Sequence, residues 1–399
     1  MVEISEEEYV NLDNLADGLS EVHKYKSKPP KKEKKQPAPP PVAEDEQKTE
    51  KPKLKKSVIA FFVFSLVLLL SVVSYVTVVY GNIPFVVKWR NIWIETAMTT
   101  DQHKWLATAF FPDRLVDEVM AAQVDIKDIG VTDIYGNQSA DILGQEYLVE
   151  GEKDKFGNEV FANNVEEGVV ILKVESTNFV GKLVLVDDPS RVFLGTTDYK
   201  GSRGEFICDY LEKENAVVGV NASGFIDTGG TSLGGLISGQ CVSQGEYWGT
   251  YKSKYTLLGF DTDNRLVVGG MDNWEDYNIR DGIQFRPTLI LNGQKVVSDS
   301  AGWGLQPRTV VGQSANGVVM LLVIDGRQFG YSLGATMEDC ADILLQYGAV
   351  TAGACDGGSS SVIAYNGEII NEPSTDMPTG RYLPNAWVVE RKNPVNDEY

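Results

Sequence analysis

Apolar residues follow three different patterns along the chain, and each pattern predicts a different kind of element. The stretch from Val58 to Val79 is an uninterrupted apolar run, which as a helix would reach about 33 Å. From Phe85 to about Met120 apolar residues recur at intervals of three and four, which predicts one or two amphipathic helices. From Gly168 onward short β-rich runs alternate with turn residues, which predicts a strand-dominated domain.

The apolar run is long enough to cross a bilayer once. It is too long for the apolar part of a signal peptide, begins far from Met1 and is followed by no small-residue cleavage site. Four lysines lie directly before the run, which predicts a cytoplasmic N-terminus and an extracellular C-terminal domain. These lysines are Lys51, Lys53, Lys55 and Lys56. We therefore expect a single-pass protein of the cell membrane.

The same patterns predict five segments in the chain. The first segment is Pro-rich and carries twelve Lys against twelve Asp or Glu, too polar a composition to form a core. The expected segments are a disordered cytoplasmic tail (1–56), a transmembrane helix (57–80), a helical spacer and linker (81–165), a folded domain (166–392) and a C-terminal tail (393–399). The aromatic residues of the spacer could pack on the domain, lie at the membrane interface or form a dimer stalk, and the oligomeric state stays open.

Charge and histidine content narrow the chemistry of the outer part. The chain has a formal net charge of −20 at pH 7, and because the tail is balanced, that charge belongs to the outer part. An acidic exterior argues against nucleic acid as a partner. The two histidines, His23 and His103, both precede the domain, so we expect no Ser-His-Asp triad and no His-ligated metal there. No cofactor is predicted, and the sequence does not decide whether a divalent cation assists.

Four cysteines, Cys208, Cys241, Cys340 and Cys355, lie in the domain without a CxxC spacing. An even number in an oxidising location permits disulfides, and Cys340 with Cys355 is the pair we considered. Small buried hydrophobic side chains are an equally good interpretation, because a domain of this size does not need cross-links.

Turn signals predict an α+β fold, in which helices pack on an antiparallel or mixed β-sheet. Asn-Gly pairs at 292–293, 316–317 and 366–367 each separate two β-rich runs, which is the signature of a hairpin. One helix stands out, with Thr336 as N-cap, Asp339 at the third helical position and Gly348 as its end.

Polar side chains recur where strands end against glycine. The run Asp356 to Ser361 contains two glycines and three serines between apolar strands, which favours a loop of N–H and hydroxyl donors for an oxyanion. Taken singly, Asp325-Gly326 is an ordinary turn and Arg308 or Arg327 an ordinary surface charge. The combination of these motifs is what predicts a site.

In order and spacing these motifs resemble the phosphodiester glycosidase domain family, over about residues 168–390. The family includes the enzyme that removes N-acetylglucosamine from a phosphodiester. The matching pieces are NASGF at 221–225, PRTVVG at 307–312, VIDGR at 323–327, the helix at 336–350, CDGGSSS at 355–361 and LPNAWVV at 383–389. The chain lacks the cysteine-rich extensions of the animal enzyme, which argues against the animal substrate but not against the chemistry. The compact domain, single N-terminal anchor and Lys-rich tail lead us to expect a bacterial member.

The resemblance implies a set of site residues. The expected catalytic residues are Asp356, Asp325, Arg308 and Arg327. The expected substrate-binding residues are Asn221, Gly224, Phe225, Gly357, Gly358, Ser359, Ser360 and Asn385. In this interpretation the two arginines bind phosphate as bidentate donors. The two aspartates act as nucleophile, base or stabiliser of an oxocarbenium-like state, and the two asparagines bind sugar hydroxyl or acetamido groups.

The implied reaction is hydrolysis of the glycosidic C–O bond of sugar 1-phosphodiesters in cell-envelope or exopolysaccharide glycans. Attack at phosphorus generally recruits metal ions or His, whereas cleavage at carbon releases a phosphate monoester without strong protonation. Two alternatives stay open, a non-catalytic module that binds anionic glycan and a glycosyl transferase that uses the same site.

Overall fold

The computed structural model describes residues 55–100, 103–121, 130–133, 142, 144–227, 232–270 and 274–392. The predicted C-terminal tail and nearly all of the cytoplasmic tail lie outside the described residues. The chain divides between Phe64 and Ser65 into two units, with the boundary inside the first helix. The helices are α1 (Lys56–Tyr80), α2 (Pro84–Met98), α3 (Trp105–Thr108), α4 (Asp113–Ala121), α5 (Ile207–Lys213) and α6 (Met337–Gln346).

Helix α1 coincides with the apolar run. Within the described part of the chain it is the one helix long and apolar enough to cross a membrane, and its most apolar stretch is not buried by the rest of the protein. Helices α2, α3 and α4 follow it, as the spacing of apolar residues at three and four predicts. Helices α2 and α4 bury a small core that includes Ile94, Ala97, Val116 and Val119.

The strands form three sheets in the described ranges, and every pairing between them is antiparallel. The large sheet has the order β1-β2-β3-β14-β13-β15-β11-β12, and the two smaller sheets have the orders β7-β6-β10-β8-β9 and β17-β16-β5-β18-β4. The strands of the first half are β1 (Glu159–Asn164), β2 (Val169–Glu175), β3 (Val180–Val186), β4 (Val192–Thr196), β5 (Ala216–Asn221), β6 (Gln240–Ser243), β7 (Glu246–Gly249), β8 (Thr256–Asp261) and β9 (Leu266–Gly269). Those of the second half are β10 (Ile279–Phe285), β11 (Thr288–Leu291), β12 (Gln294–Lys295), β13 (Arg308–Ser314), β14 (Val319–Ile324), β15 (Ala349–Ala354), β16 (Ile363–Tyr365), β17 (Glu368–Ile369) and β18 (Asn385–Glu390).

The local signals for hairpins and for one helix are confirmed. The three Asn-Gly pairs join β11 to β12, β13 to β14 and β16 to β17. Asn292 and Asn366 have positive φ angles, as their turns require. Helix α6 begins with a capping box in which Thr336 and Asp339 bond each other's backbone. The α+β class is therefore confirmed.

The sheet begins earlier than the sequence predicts. The segment expected to be a linker up to residue 165 contains β1, which pairs with β2 across a bulge. Its alternating exposed and buried residues resemble the polar loop around them, because only one face of this edge strand is buried.

Two cores lie on opposite faces of the large sheet. One contains apolar residues of all three sheets, including Cys355, and the other packs α6 on the large sheet and includes Cys340. All four cysteines are free thiols, so these two act as small buried hydrophobic residues. The sheet itself therefore separates the pair that we considered for a disulfide.

Candidate active site

Three of the four predicted catalytic residues lie close together at the ends of three central strands of the large sheet. Strand β13 begins at Arg308 and is antiparallel to both β14 and β15. Its two neighbours therefore both end beside the start of β13. Asp325 follows the end of β14 and Asp356 follows the end of β15. With one strand between them, the two aspartate backbones are about 10 Å apart.

Asn221, at the end of β5, is hydrogen-bonded to residues at these strand ends. Its side chain is fully buried, and its Nδ2 donates to the carbonyl of Asp356 over 2.7 Å. Its Oδ1 accepts from Thr309 Oγ1 over 2.6 Å and from the N–H of Val362 over 3.2 Å. The sequence interpretation gave Asn221 to a sugar, whereas these bonds give it the task of positioning Asp356.

Asn385 has a similar structural position at the start of β18. It is fully buried, accepts a hydrogen bond from the N–H of Ser223 over 2.8 Å and donates to the Ser223 hydroxyl over 3.0 Å. These bonds hold Gly224 beside the site, where a Cβ would lie 2.9 Å from the ring of Phe285 and 3.8 Å from Asp356 Oδ1. The absence of a side chain at Gly224 therefore allows the Phe285 ring to pack closely against this segment.

The Asp356 carboxylate is half-buried at the centre of the site. Burial raises its pKa to about 6, against the opposing effects of hydrogen bonds from the Ser360 hydroxyl and the Gly357 N–H and of the charges of Arg381 and Arg327. Both protonation states are therefore accessible near neutral pH, which suits a carboxylate that reacts.

Arg327 faces the solvent beside this carboxylate. Its φ of +63° places it in the left-handed region, which turns its side chain back over the glycine run. A Cβ on Gly358 would lie 3.0 Å from Arg327 Nη2, so the guanidinium packs directly on a residue that has no side chain. Its Nε donates to Gln306 Oε1 over 2.7 Å. Desolvation lowers the pKa of Arg327, and the charge of Asp356 opposes this.

A second arginine, Arg381, closes the other side of the site. It is nearly buried, pairs with Asp227 over 2.6 Å and donates to Ser359 Oγ over 3.2 Å. Its guanidinium lies 5.0 Å from the centre of the Phe225 ring. Arg381 thereby holds two of the predicted substrate-binding residues, Phe225 and Ser359, next to Asp356.

Arg381 and Gln306 were missed by the sequence interpretation. Arg381 lies two positions before the last motif, LPNAWVV at 383–389, and this proximity could have indicated it. Gln306 lies directly before the Pro307-Arg308 motif. Its role depends on a contact with Arg327 that no spacing along the chain reveals.

Arg308 does not face the open site. It is 5 % exposed, and three of its bonds go to backbone carbonyls, from Nε to Ala335 over 3.1 Å and from Nη2 to Trp303 over 3.0 Å and Gly304 over 2.8 Å. Burial lowers its pKa to about 10. In this geometry the guanidinium holds the segment that leads into β13, and phosphate binding by Arg308 stays a prediction.

Asp325 is likewise fully engaged. Its Oδ1 accepts from Asn371 Nδ2 over 2.8 Å, its Oδ2 accepts from the Tyr331 hydroxyl over 3.0 Å, and both oxygens lie 3.2 Å from the N–H of Glu372. Only 3 % of the residue is exposed. Burial raises its pKa, and the bond from Asn371 is the largest opposing effect. Asp325 therefore ties two loops together.

The glycine-serine run differs from the donor loop that the sequence predicts. It forms a tight 3₁₀ turn over Gly358–Ser360, which uses most of its own N–H groups. The N–H groups already bonded inside the protein are those of Gly357, Gly358, Ser360 and Ser361. What the run presents to a ligand is therefore the Asp356 carboxylate, the Ser359 hydroxyl and the space that Gly358 leaves for Arg327.

Residues 214–390 match the model of the phosphodiester glycosidase family, which confirms the resemblance that the motifs gave. All of the predicted site residues fall inside this range. The match supports an enzyme of the glycosidase kind.

Among curated proteins, the chain is 26 % identical over 200 residues to the SPbeta prophage-derived uncharacterized protein YomE of Bacillus subtilis strain 168. The match covers 47 % of this chain and 29 % of that protein, so the chain spans less than a third of its relative's length.

Three solved structures align with lower identity. The catalytic domain of zebrafish N-acetylglucosamine-1-phosphodiester alpha-N-acetylglucosaminidase, auto-inhibited by its pro-peptide, is 16 % identical, with 68 % of this chain and 98 % of that chain covered and a TM-score of 0.46. A hypothetical protein from Synechocystis is 16 % identical, with 56 % and 62 % covered and a TM-score of 0.40. An exported protein from Burkholderia pseudomallei is 15 % identical, with 53 % and 74 % covered and a TM-score of 0.38.

Proposed function

We propose that the phosphodiester glycosidase domain at residues 214–390 hydrolyses the bond between the anomeric carbon and the phosphate oxygen of sugar 1-phosphodiesters. The observation that carries the proposal is the placement of one partly exposed carboxylate, Asp356, beside one exposed guanidinium, Arg327, each of which shifts the pKa of the other by its charge. Burial raises the pKa of Asp356 to about 6, and the Nη groups of Arg327 lie over Gly358 next to it.

One reactive carboxylate is sufficient for this reaction. Most glycosidases use a second carboxyl group to protonate the leaving alkoxide. Here the leaving group is a phosphate monoester, whose conjugate acid has a pKa of about 6, so it departs as an anion. The other predicted carboxylate, Asp325, has both oxygens occupied by its neighbours, and we assign it to positioning.

Arg327 is the better candidate for binding the phosphate. Its Nε is bonded to Gln306, which leaves the two Nη groups for a bidentate contact with phosphate oxygens. As negative charge moves onto the leaving oxygen, this contact strengthens, and that difference between ground and transition state lowers the barrier. Arg381 and the Ser359 hydroxyl complete the positive side of the site.

The balance of the step is simple. The C1–O bond to phosphate breaks with its electron pair on the phosphate oxygen, and a new C1–O bond forms. The new bond comes either from water, with Asp356 taking the proton, or from Asp356 itself, followed by water. The products are the free sugar and a phosphate monoester.

We place this activity outside the cell, on phosphodiester-linked glycans of the envelope or of an exopolysaccharide. The support is helix α1, which is long and apolar enough to cross a membrane, together with the lysines that precede it. A module that only binds anionic glycan would gain affinity by losing Asp356, so the carboxylate favours catalysis.

The test uses the full chain in detergent micelles, with UDP-N-acetylglucosamine and a panel of other sugar 1-phosphodiesters in ¹⁸O-labelled water. We expect free sugar that carries the label, release that is lost in Asp356→Asn and unchanged in the surface control Asp113→Asn. Label in the phosphate would instead show attack at phosphorus. Transfer of the sugar to an added glycan acceptor, without incorporation of ¹⁸O, would identify a transferase. Tight binding without any turnover would identify a binding module.

A further inference from the structure

The C-terminal end of α2 is embedded in the segment that leads to Arg308. A Cβ on Gly304 would lie 2.3 Å from Thr96 Oγ1, and Gly304 has a φ of +61°, so only glycine allows this approach. The next residue, Leu305, donates its N–H to Thr96 Oγ1 over 2.9 Å. Glu95 accepts a bond from the hydroxyl of Ser300. The helix is therefore joined to residues 300–305 by polar contacts that are buried or partly buried.

Gln306 continues this connection to the site. Its Nε2 donates to the carbonyl of Thr96 over 3.0 Å and to Thr99 Oγ1 over 3.1 Å, while its Oε1 accepts from Arg327 Nε over 2.7 Å. The Thr96 carbonyl belongs to the last turn of α2, where carbonyls lack a helical N–H partner. A carbonyl can only accept, so it fixes which end of the Gln306 amide points at Arg327.

The same contact orients Arg327. With Nε held by Gln306, the guanidinium lies against Gly358, where both Nη groups are within 3.3 Å of the position that a Cβ would take. Without that bond, Arg327 is an exposed side chain with several rotamers, and ordering it on a ligand would cost free energy at each binding event.

We propose that Gln306 is a positioning residue for phosphate binding, and that it acts by linking the C-terminal end of α2, through Thr96 and Thr99, to Arg327. The helix that directly follows the apolar span would thereby complete the site, although it lies outside residues 214–390. The inference rests on the proposed function for its substrate, and on the bonds of Gln306 for its geometry.

The direct test measures binding of inorganic phosphate to the full chain by calorimetry. Gln306→Leu removes both halves of the link and should weaken phosphate binding about tenfold, because a bond to a charged group is lost. Thr99→Val removes one acceptor of the amide and should weaken binding about two- to threefold. Thr108→Val, which removes an exposed hydroxyl that donates to the Lys104 carbonyl of its own helical segment, is the matched control and should leave the affinity unchanged.

Kinetics separate positioning from general stability. In Gln306→Leu the KM for the sugar phosphodiester should rise about tenfold while kcat changes less than threefold. Combined with Arg327→Lys, Gln306→Leu should add little to the loss of kcat/KM, because the contact through which it acts is already changed. Full additivity in this cycle, or an unchanged phosphate affinity in a folded Gln306→Leu protein, would overturn the inference.

The outcomes for the proposed function are separate. A wild-type chain that binds phosphate in a Gln306-dependent way but releases sugar from no substrate would refute the hydrolase and retain the link. If Gln306→Leu fails to fold, Thr99→Val still decides the question, because it only replaces one hydroxyl group by a methyl group at the end of the helix. An affinity in Thr99→Val equal to that of Thr108→Val would then count against the link.

Discussion

The two Asp-Gly motifs at the edge of the large sheet show how one sequence pattern serves two purposes. Asp325 and Asp356 each follow a buried strand and precede glycine, and the two strands end on the same side of the sheet with β13 between them. Asp325 is enclosed by Asn371, Tyr331 and the N–H of Glu372. Asp356 is only half-buried and faces Arg327. The difference lies in what covers each carboxylate, and that is decided by loops far away in sequence.

The largest expected effect is on turnover when each aspartate is replaced. Asp356→Asn should lower kcat by on the order of 10³-fold, because the carboxylate that we propose reacts with the substrate is lost. Asp325→Asn should keep turnover within a few-fold in the folded protein but lower stability by about 1–3 kcal/mol, because its new amide group faces the donors of Asn371 and Glu372. Initial rates and thermal unfolding of both variants measure these effects.

An equal loss of kcat in folded Asp325→Asn would break the comparison. It would mean that Asp325 reaches the substrate after its loops rearrange, which the bonded geometry does not provide for.

Arg327 and Arg308 show the same contrast between an exposed and an enclosed side chain, with a smaller expected effect on turnover. Arg327→Ala should lower kcat/KM for a sugar phosphodiester about 10- to 100-fold, through a lower kcat as well as a higher KM, with little change in melting temperature, because a charge-assisted contact with phosphate that strengthens in the transition state is lost from an exposed position. Arg308→Ala should instead lower stability by about 3 kcal/mol or more, because three carbonyls lose their donor and a cavity remains. Steady-state kinetics and calorimetric unfolding separate the two. A normal melting temperature with an abolished rate in Arg308→Ala would restore the role that its motif suggested.

Titration of Asp356 gives a third test. If the ionised carboxylate is the active form, kcat/KM should fall as the pH drops through about 6, the value to which burial raises its pKa. Between the ordinary pKa of 3.8 and about 6 the folded state binds more protons than the unfolded state, so stability falls as the pH rises through this window.

Asp356→Asn removes that cost. At pH 7.5 the variant should therefore be more stable than the wild type by about 1–3 kcal/mol, and the gain should vanish near pH 4. Unfolding followed at both pH values checks this. A variant that is less stable at pH 7.5 would show that burial does not oppose ionisation of Asp356.

The elements that carry local signals could be predicted from the sequence, and those that depend on distant contacts could not. The Asn-Gly hairpins and the capping box at Thr336 are set by neighbouring residues, so pattern was enough to find them. Strand β1 was missed because one of its faces is exposed and its composition resembles that of a loop.

The site shows the same division. The motifs predicted that Asn221, Arg308, Asp325 and Asp356 lie at strand ends and belong to one site. They did not distinguish inward-facing from outward-facing side chains, because alternation along β13 turns Arg308 toward α6 and Thr309 toward Asn221. Nor did they find Arg381, whose importance comes from the partners that the fold brings to it.

The smallest expected effects come from one hydroxyl beside each aspartate. Ser360 donates to the Asp356 carboxylate and lowers its pKa, so Ser360→Ala should move the acid limb of the kcat/KM profile to higher pH while the fold is retained. Tyr331 donates to Asp325 over 3.0 Å, so Tyr331→Phe should cost about 1 kcal/mol of stability and leave the pH profile in place. The two substitutions remove the same chemical group from the same kind of partner, and one should change the pH profile while the other changes unfolding. A shifted profile in Tyr331→Phe would mean that Asp325 titrates in the reaction, and the division of labour between the two motifs would have to be reversed.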